Sequence, residues 1–115
     1  MPLTDNRSRE RIRELNDTLR KTLDLDLGRV LITSGVSELG REKQHQILEA
    51  VQNFSSFDSD NDPHGEHDFG SFELAGQKLF WKIDYYDRKA EFGSPDPADP
   101  AVTTRVLTIM LAEEY

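Results

Sequence analysis

The densest set of reactive side chains in the sequence is Asp58-Ser59-Asp60-Asn61-Asp62-Pro63-His64-Gly65-Glu66-His67-Asp68-Phe69-Gly70, which holds two of the three histidines and five carboxylates. His64, Glu66, His67 and Asp68 fall within five positions. Imidazole with carboxylate is the ligand set that zinc, manganese or nickel accepts. Asp58, Asp60 and Asp62 add the hard oxygen donors of calcium and magnesium sites. One expectation is therefore a metal centre on His64, Glu66, His67 and Asp68, with a divalent ion as the cofactor. Its chemistry would be metal-assisted hydrolysis, as in a hydrolase or nuclease. A second, metal-free option pairs Glu66, Asp68 or Asp84 with His64 or His67 as acid and base. The competing expectation is a solvated acidic loop whose histidines cap turns, with no cofactor at all.

Known loop codes do not fit. A calcium loop beginning at Asp58 needs Gly in its sixth place and Glu in its twelfth, where Pro63 and Phe69 stand. Beginning at Asp60, Gly65 fits but the twelfth place is Ser71. His64 and His67 are three apart beside Pro63 and Gly65, unlike the helical pair of a metalloprotease. His64-Gly65-Glu66 matches half of a deaminase signature, but the other half needs cysteine and the chain has none. Asp68-Phe69-Gly70 spells a kinase triplet with no glycine-rich loop to accompany it. No serine lies in a nucleophile-elbow context.

The elements on either side must position this loop. Ile12, Leu15, Leu19 and Leu23 make one helical stripe over about Thr4 to Leu23, and Arg9, Glu10, Arg11, Arg13 and Glu14 read as its solvated face. Arg29 to Ser34 reads as a short strand. Arg41 to Phe54 reads as a second helix, with Ile47, Leu48, Val51 and Phe54 on one side. Phe69 to Ala75 and Lys78 to Asp87 read as a hairpin about Gly76-Gln77. In its second arm Leu79, Trp81, Ile83 and Tyr85 form the core face, and Phe80, Lys82, Asp84 and Tyr86 a mixed one. After the loop of Pro95, Pro97 and Pro100, Val102, Val106, Ile109 and Met110 suit a helix, while the Thr, Val and Ile of residues 103–111 suit a strand. Of the two, one helical turn at Asp99 followed by a strand within Val102 to Tyr115 is favoured, because it completes the sheet. The expected fold is a single α+β domain over residues 1–115. It has an antiparallel sheet of about four strands with two helices packed on one face. The N-terminal helix, residues 1–24, could be peripheral.

Charge narrows the partners. The 115 residues carry a net charge of −8. Residues 1–57 hold equal numbers of acidic and basic side chains, so the whole excess lies in residues 58–115. That half repels free nucleic acid and attracts a basic protein surface, such as that of a nucleic-acid-binding protein. Tyr86 with Asp84, Asp87, Glu91 and Asp96 forms the candidate partner-binding patch. No apolar run approaches a membrane span, and Met1 to Arg7 contains no leader-like segment, so a cytoplasmic location is expected.

Four blocks occur in order: Asn61-Asp62-Pro63-His64-Gly65-Glu66-His67-Asp68-Phe69-Gly70, Phe80-Trp81-Lys82-Ile83-Asp84-Tyr85-Tyr86-Asp87, Asp96-Pro97-Ala98-Asp99-Pro100, and Arg105-Val106-Leu107-Thr108-Ile109-Met110-Leu111-Ala112. Over roughly residues 30–115 they resemble a family of small bacterial proteins known as a domain of unknown function, often encoded on plasmids and other mobile elements. The resemblance implies a bacterial cytoplasmic protein and supplies no activity or site residue. Together with the charge, it leads to the expectation of a small acidic, non-catalytic binding protein. A DNA mimic or host-defence inhibitor of anti-restriction or anti-CRISPR type would be one such protein.

Overall fold

Alternation in Gln77–Tyr86 (β3) sends Leu79, Trp81 and Ile83 to one face, where all three are buried. This strand is central in the computed structural model, which describes residues 6–115. Thr4 and Asp5, where the sequence reading begins the first helix, lie outside those residues. In chain order the elements are α1 (Asn6–Thr22), β1 (Gly28–Ile32), α2 (Ser34–Ser37), α3 (Arg41–Gln52), β2 (Phe69–Leu74), β3 and β4 (Thr104–Leu111). Short 3-10 turns at Pro100–Val102 and Ala112–Glu114 flank β4. The first begins as expected: Asp99 accepts a hydrogen bond from the Ala101 N–H at 2.9 Å, and Pro100 takes the position where a missing N–H costs nothing.

The fold is α+β, but the sheet is mixed rather than wholly antiparallel. Strand order is β1-β4-β3-β2. β2, β3 and β4 form an antiparallel meander, whereas β1 lies parallel to β4, with Gly28 opposite Arg105 and Ile32 opposite Ile109. The reason is topological. β1 sits at one edge and β2 at the other, and the chain between them returns along α3 before re-entering the sheet. β1 and β2 therefore point the same way, and the meander gives β4 that direction too. The helix α2, whose first residue was read as the end of the strand, begins that return.

One face of the sheet carries the core. Leu79, Trp81, Leu107 and Ile109 pack there against Leu19, Val36, Ile47 and Val51. α1 is built into this core rather than peripheral, since Ile12, Leu15 and Leu19 are all buried. Phe54 and Phe57 meet the Trp81 ring edge-on, at 5.6 and 6.1 Å. The other face carries Phe69, Phe80 and Tyr115 in mutual ring contact and an ion pair of Lys82 with Asp84 at 2.8 Å. Among the described residues no helix is long and apolar enough to cross a membrane.

Gly70 faces Trp81 directly across the β2–β3 ladder. A Cβ at this position would overlap Trp81 Nε1 and lie 2.8 Å from Phe54 Cε1. Both neighbours are buried, so neither can swing away. Gly70→Ala is expected to lower the unfolding free energy by about 1–3 kcal/mol through overpacking. Urea denaturation checks this: the midpoint should fall while the slope stays unchanged.

Candidate functional site

α1 turns two stripes inward. Beside the apolar one runs a polar one of Arg13, Asn16, Asp17 and Arg20, spaced so that all four project from neighbouring positions on the helix. Arg13 Nη1 donates to the Gly65 carbonyl at 3.2 Å. The Asp17 carboxylate lies 2.9 Å from His67 Nδ1 and accepts from Arg20 Nη2 at 3.0 Å. Arg20 Nη1 donates to the Val51 and Phe54 carbonyls at 2.9 and 3.0 Å. It thereby adds a donor at carbonyls at and just beyond the end of α3, where the Val51 carbonyl also accepts from the Phe54 N–H at 3.2 Å. Its guanidinium also lies over the rings of Phe57 and Trp81, at 5.4 and 5.2 Å.

Asn16 is completely buried and joins three segments. Its Nδ2 donates to the Glu66 carbonyl at 3.0 Å and to Tyr85 Oη at 2.8 Å. Its Oδ1 accepts from Arg105 Nε at 2.7 Å. Arg105, from β4, is also completely buried. It donates to the Pro97 carbonyl and lies 5.3 Å over the Tyr85 ring. Tyr85 Oη in turn donates to Glu66 Oε1 at 3.0 Å. Burial pulls the Arg105 pKa down and pushes the Tyr85 pKa up. The physical cause is the same in both cases: a low-polarity surrounding disfavours the charged form.

The loop residues expected to hold a metal have separate surroundings. His64 is exposed. Glu66 bonds Tyr85. His67 lies between Asp17 and Asp62, with Nε2 3.5 Å from Asp62 Oδ2, and its ring stacks on Phe57 at 3.7 Å and 4°. Its backbone has φ of 56°, a region uncommon outside glycine. A hydrogen bond of 3.0 Å from the His67 N–H to Asp62 Oδ1 holds that turn. Asp68 is half-buried. Burial, then the neighbouring Glu66 carboxylate, raises its pKa, against the pull of its own backbone N–H. Among the described residues no three His, Asp or Glu side chains are grouped so as to hold a metal ion. What the arrangement does is pin the loop: five of its residues, Asp62, Gly65, Glu66, His67 and Asp68, bond α1, β3 or one another.

The candidate partner-binding residues cluster more loosely. Asp84 pairs with Lys82 on the face away from the helices. Tyr86 ends β3 and bridges to Gly93. Asp87 Oδ1 accepts from the N–H groups of Lys89 and Glu91 at 3.1 and 3.0 Å, and Asp96 Oδ1 accepts from that of Ala98 at 3.2 Å. Glu91 is exposed. Next to it is a residue outside the charge-based patch: Phe92, with 72% of its surface exposed.

Asn16, Asp17, Arg20 and Arg105 are the site residues that sequence reasoning missed. A signal was present in α1. Asn16 and Arg20 stand one position after Leu15 and Leu19, inside the arc the apolar stripe turns toward the core.

Asn16→Ala removes the partner of the buried Arg105 Nε and of Tyr85. A loss of about 3 kcal/mol in unfolding free energy is expected, because the Nε–H of a buried charge is left without its acceptor. Equilibrium urea unfolding measures it. Asp68→Asn should act oppositely and only in one pH window. A raised carboxyl pKa means that ionisation opposes folding above the ordinary value of 3.8. The variant should therefore melt higher than the parent at neutral pH, and the gap should close as pH falls toward that value. Equal melting temperatures at pH 7 would refute this.

No curated protein and no solved structure matches the chain. A family model described as "Protein of unknown function (DUF3768)" matches residues 32–114, from the end of β1 to the last 3-10 turn. That span contains the pinned loop, the β2–β3–β4 meander and the loop bearing Phe92, and on that match the chain belongs to the DUF3768 family.

Proposed function

We propose that the protein is a non-catalytic acidic binding protein that docks on a basic surface through the loop of residues 87–99. The observation that carries this reading is Phe92, a large apolar side chain 72% exposed on a loop that hydrogen bonds hold in place. The Asp87 N–H donates to the Phe92 carbonyl at 2.8 Å, and the Ser94 N–H to the Tyr85 carbonyl at 3.1 Å. Ser94 Oγ lies 2.7 Å from Thr103 Oγ1. Phe92, Pro95 and Val102 line a shallow groove of about 430 Å³, with Asp87, Glu91, Arg88 and Lys89 on its margin. An aromatic anchor that needs no ordering on binding loses little entropy, and the excess negative charge of residues 58–115 steers a cationic partner toward this half of the protein.

The partner chemistry we infer is that of a nucleic-acid-binding protein, whose basic cleft the acidic half would occupy in place of DNA. Carriage on plasmids or other mobile elements, which the sequence resemblance implies, would make a cytoplasmic inhibitor of a bacterial host defence the specific role. The hydrolase reading draws less support, because Glu66 and His67 direct their polar atoms to Tyr85, Asp17 and Asp62.

The test is binding to a panel of purified DNA-binding proteins, read with and without competing duplex DNA. Affinity should fall by about tenfold or more between low and high salt, and DNA should compete. Phe92→Ala should weaken binding by about tenfold while leaving the melting temperature unchanged. Binding that is indifferent to both salt and Phe92→Ala would refute the proposal.

A further inference from the structure

We propose that the outer edge of β1 and the groove beside it form the two-fold interface of a homodimer, in which β1 pairs antiparallel with β1 of a second copy. β1 ends the sheet. The Leu27 carbonyl accepts from the Arg105 N–H and the Thr33 N–H donates to the Ile109 carbonyl, so odd-numbered residues face β4. Peptide groups alternate along a strand, which turns those of Gly28, Val30 and Ile32 outward. Natural edges are blunted by lysine, proline or a bulge. This short one has no lysine, proline or bulge; its one charge is the exposed Arg29, and it exposes Leu31 and Ile32, 51% and 42%, on its two faces. On the helix side the edge opens into an apolar groove of about 300 Å³ lined by Val30, Ile32, Ile47, Leu48 and Ile109. An added strand gains backbone bonds from the edge and side-chain burial from the groove.

Charge identifies the occupant as a second copy. A two-fold contact must be complementary to itself. Arg41 and His45 line the groove, and Glu49, one turn further along the exposed side of α3, lies 3.4 Å from His45 Nε2. Antiparallel docking about His45 sets Arg41 of each copy against Glu49 of the other. β1 and α3 also belong to residues 1–57, which carry no net charge, whereas the opposite edge, β2, lies in the half that holds the excess of −8. Antiparallel pairing has one more consequence: the loop of residues 87–99 lies at the Gly28 end of β1, so the two acidic loops of the dimer sit at opposite ends of a continuous eight-stranded sheet.

Sedimentation equilibrium of the full chain, over a wide concentration series at moderate salt, tests this. The expected mass approaches twice 13.2 kDa at high concentration and falls to 13.2 kDa on dilution. Ile32→Lys should give 13.2 kDa throughout, with an unchanged far-ultraviolet spectrum. Glu49→Arg, at an exposed position that leaves folding intact, should weaken the dimer by about tenfold, and adding Arg41→Glu should restore it. A monomer at every concentration would overturn the proposal. So would a dimer that Ile32→Lys, or the Arg41 and Glu49 exchange, leaves unaffected.

Discussion

Two arginines lie beneath α1 with almost no contact with water: Arg20 is 1% exposed and Arg105 is not exposed at all. Removing a cation from water costs several kcal/mol, and only well-placed acceptors recover it. Arg20 is matched by Asp17, the last carbonyls of α3 and two aromatic faces. Arg105 is matched by Asn16, the Pro97 carbonyl and the Tyr85 ring. None of these acceptors is local to the arginine's own strand or turn except Asp17. The cations can be buried only when α1, the end of α3 with the segment through Phe57, β3 and the proline-rich loop are already assembled around them. That requirement ties the irregular half of the chain to the regular half.

The same economy explains much of the acidic composition. Asp24, Asp58, Asp87, Asp96 and Asp99 each accept, through one carboxylate oxygen, from the N–H two residues further on. A short side chain that closes a turn on its own backbone is a favoured way to order a loop without burying apolar surface. Glu114 does related work at longer range. Its carboxylate accepts from Thr33 Oγ1 at 2.6 Å, from the Gly35 N–H at 3.0 Å and from the Leu111 N–H at 2.8 Å. Those bonds, the Thr33 hydroxyl first, lower its pKa. Negative charge in the second half is thus fixed in position by the loops it builds. A charge pattern held rigidly can be complementary to one partner geometry and not to others.

Periodicity made several elements legible. The two-residue alternation of β3 and the apolar stripes of α1 and α3 were readable because each buries one continuous face. For β4 the capped turn was readable from Asp99 and Pro100, whereas the residues after it suited helix and strand alike, and only their Thr, Val and Ile content favoured the strand. The parallel pairing of β1 was not readable, since a strand's pattern records which face is buried and not which neighbour it joins. The polar stripe of α1 was hidden for a related reason. Arg13 and Arg20 look alike in sequence, yet one is half-buried and the other almost wholly buried. What separates them is the position of the α3 carbonyls, which lie 31 to 34 residues further along the chain.

The cluster of His64, Glu66, His67 and Asp68 shows why composition is a weak guide to chemistry. A ligand or a proton donor acts through polar atoms that the fold has left uncommitted. In His67 both ring nitrogens already face carboxylates, and the ring is stacked on Phe57. In Glu66 one oxygen receives the Tyr85 hydroxyl. Asp68 sits where burial favours its neutral form, and its carbonyl holds the Ile83 N–H at 2.9 Å. These groups do measurable physical work, but the work is to bring a mobile class of residues to rest against α1. The imidazole the fold leaves open is His64, beside Pro63 at the loop's outer margin. His64 apart, the side chains that met the sequence criteria for a site are, in the folded chain, ones that hold its irregular segment to α1 and β3.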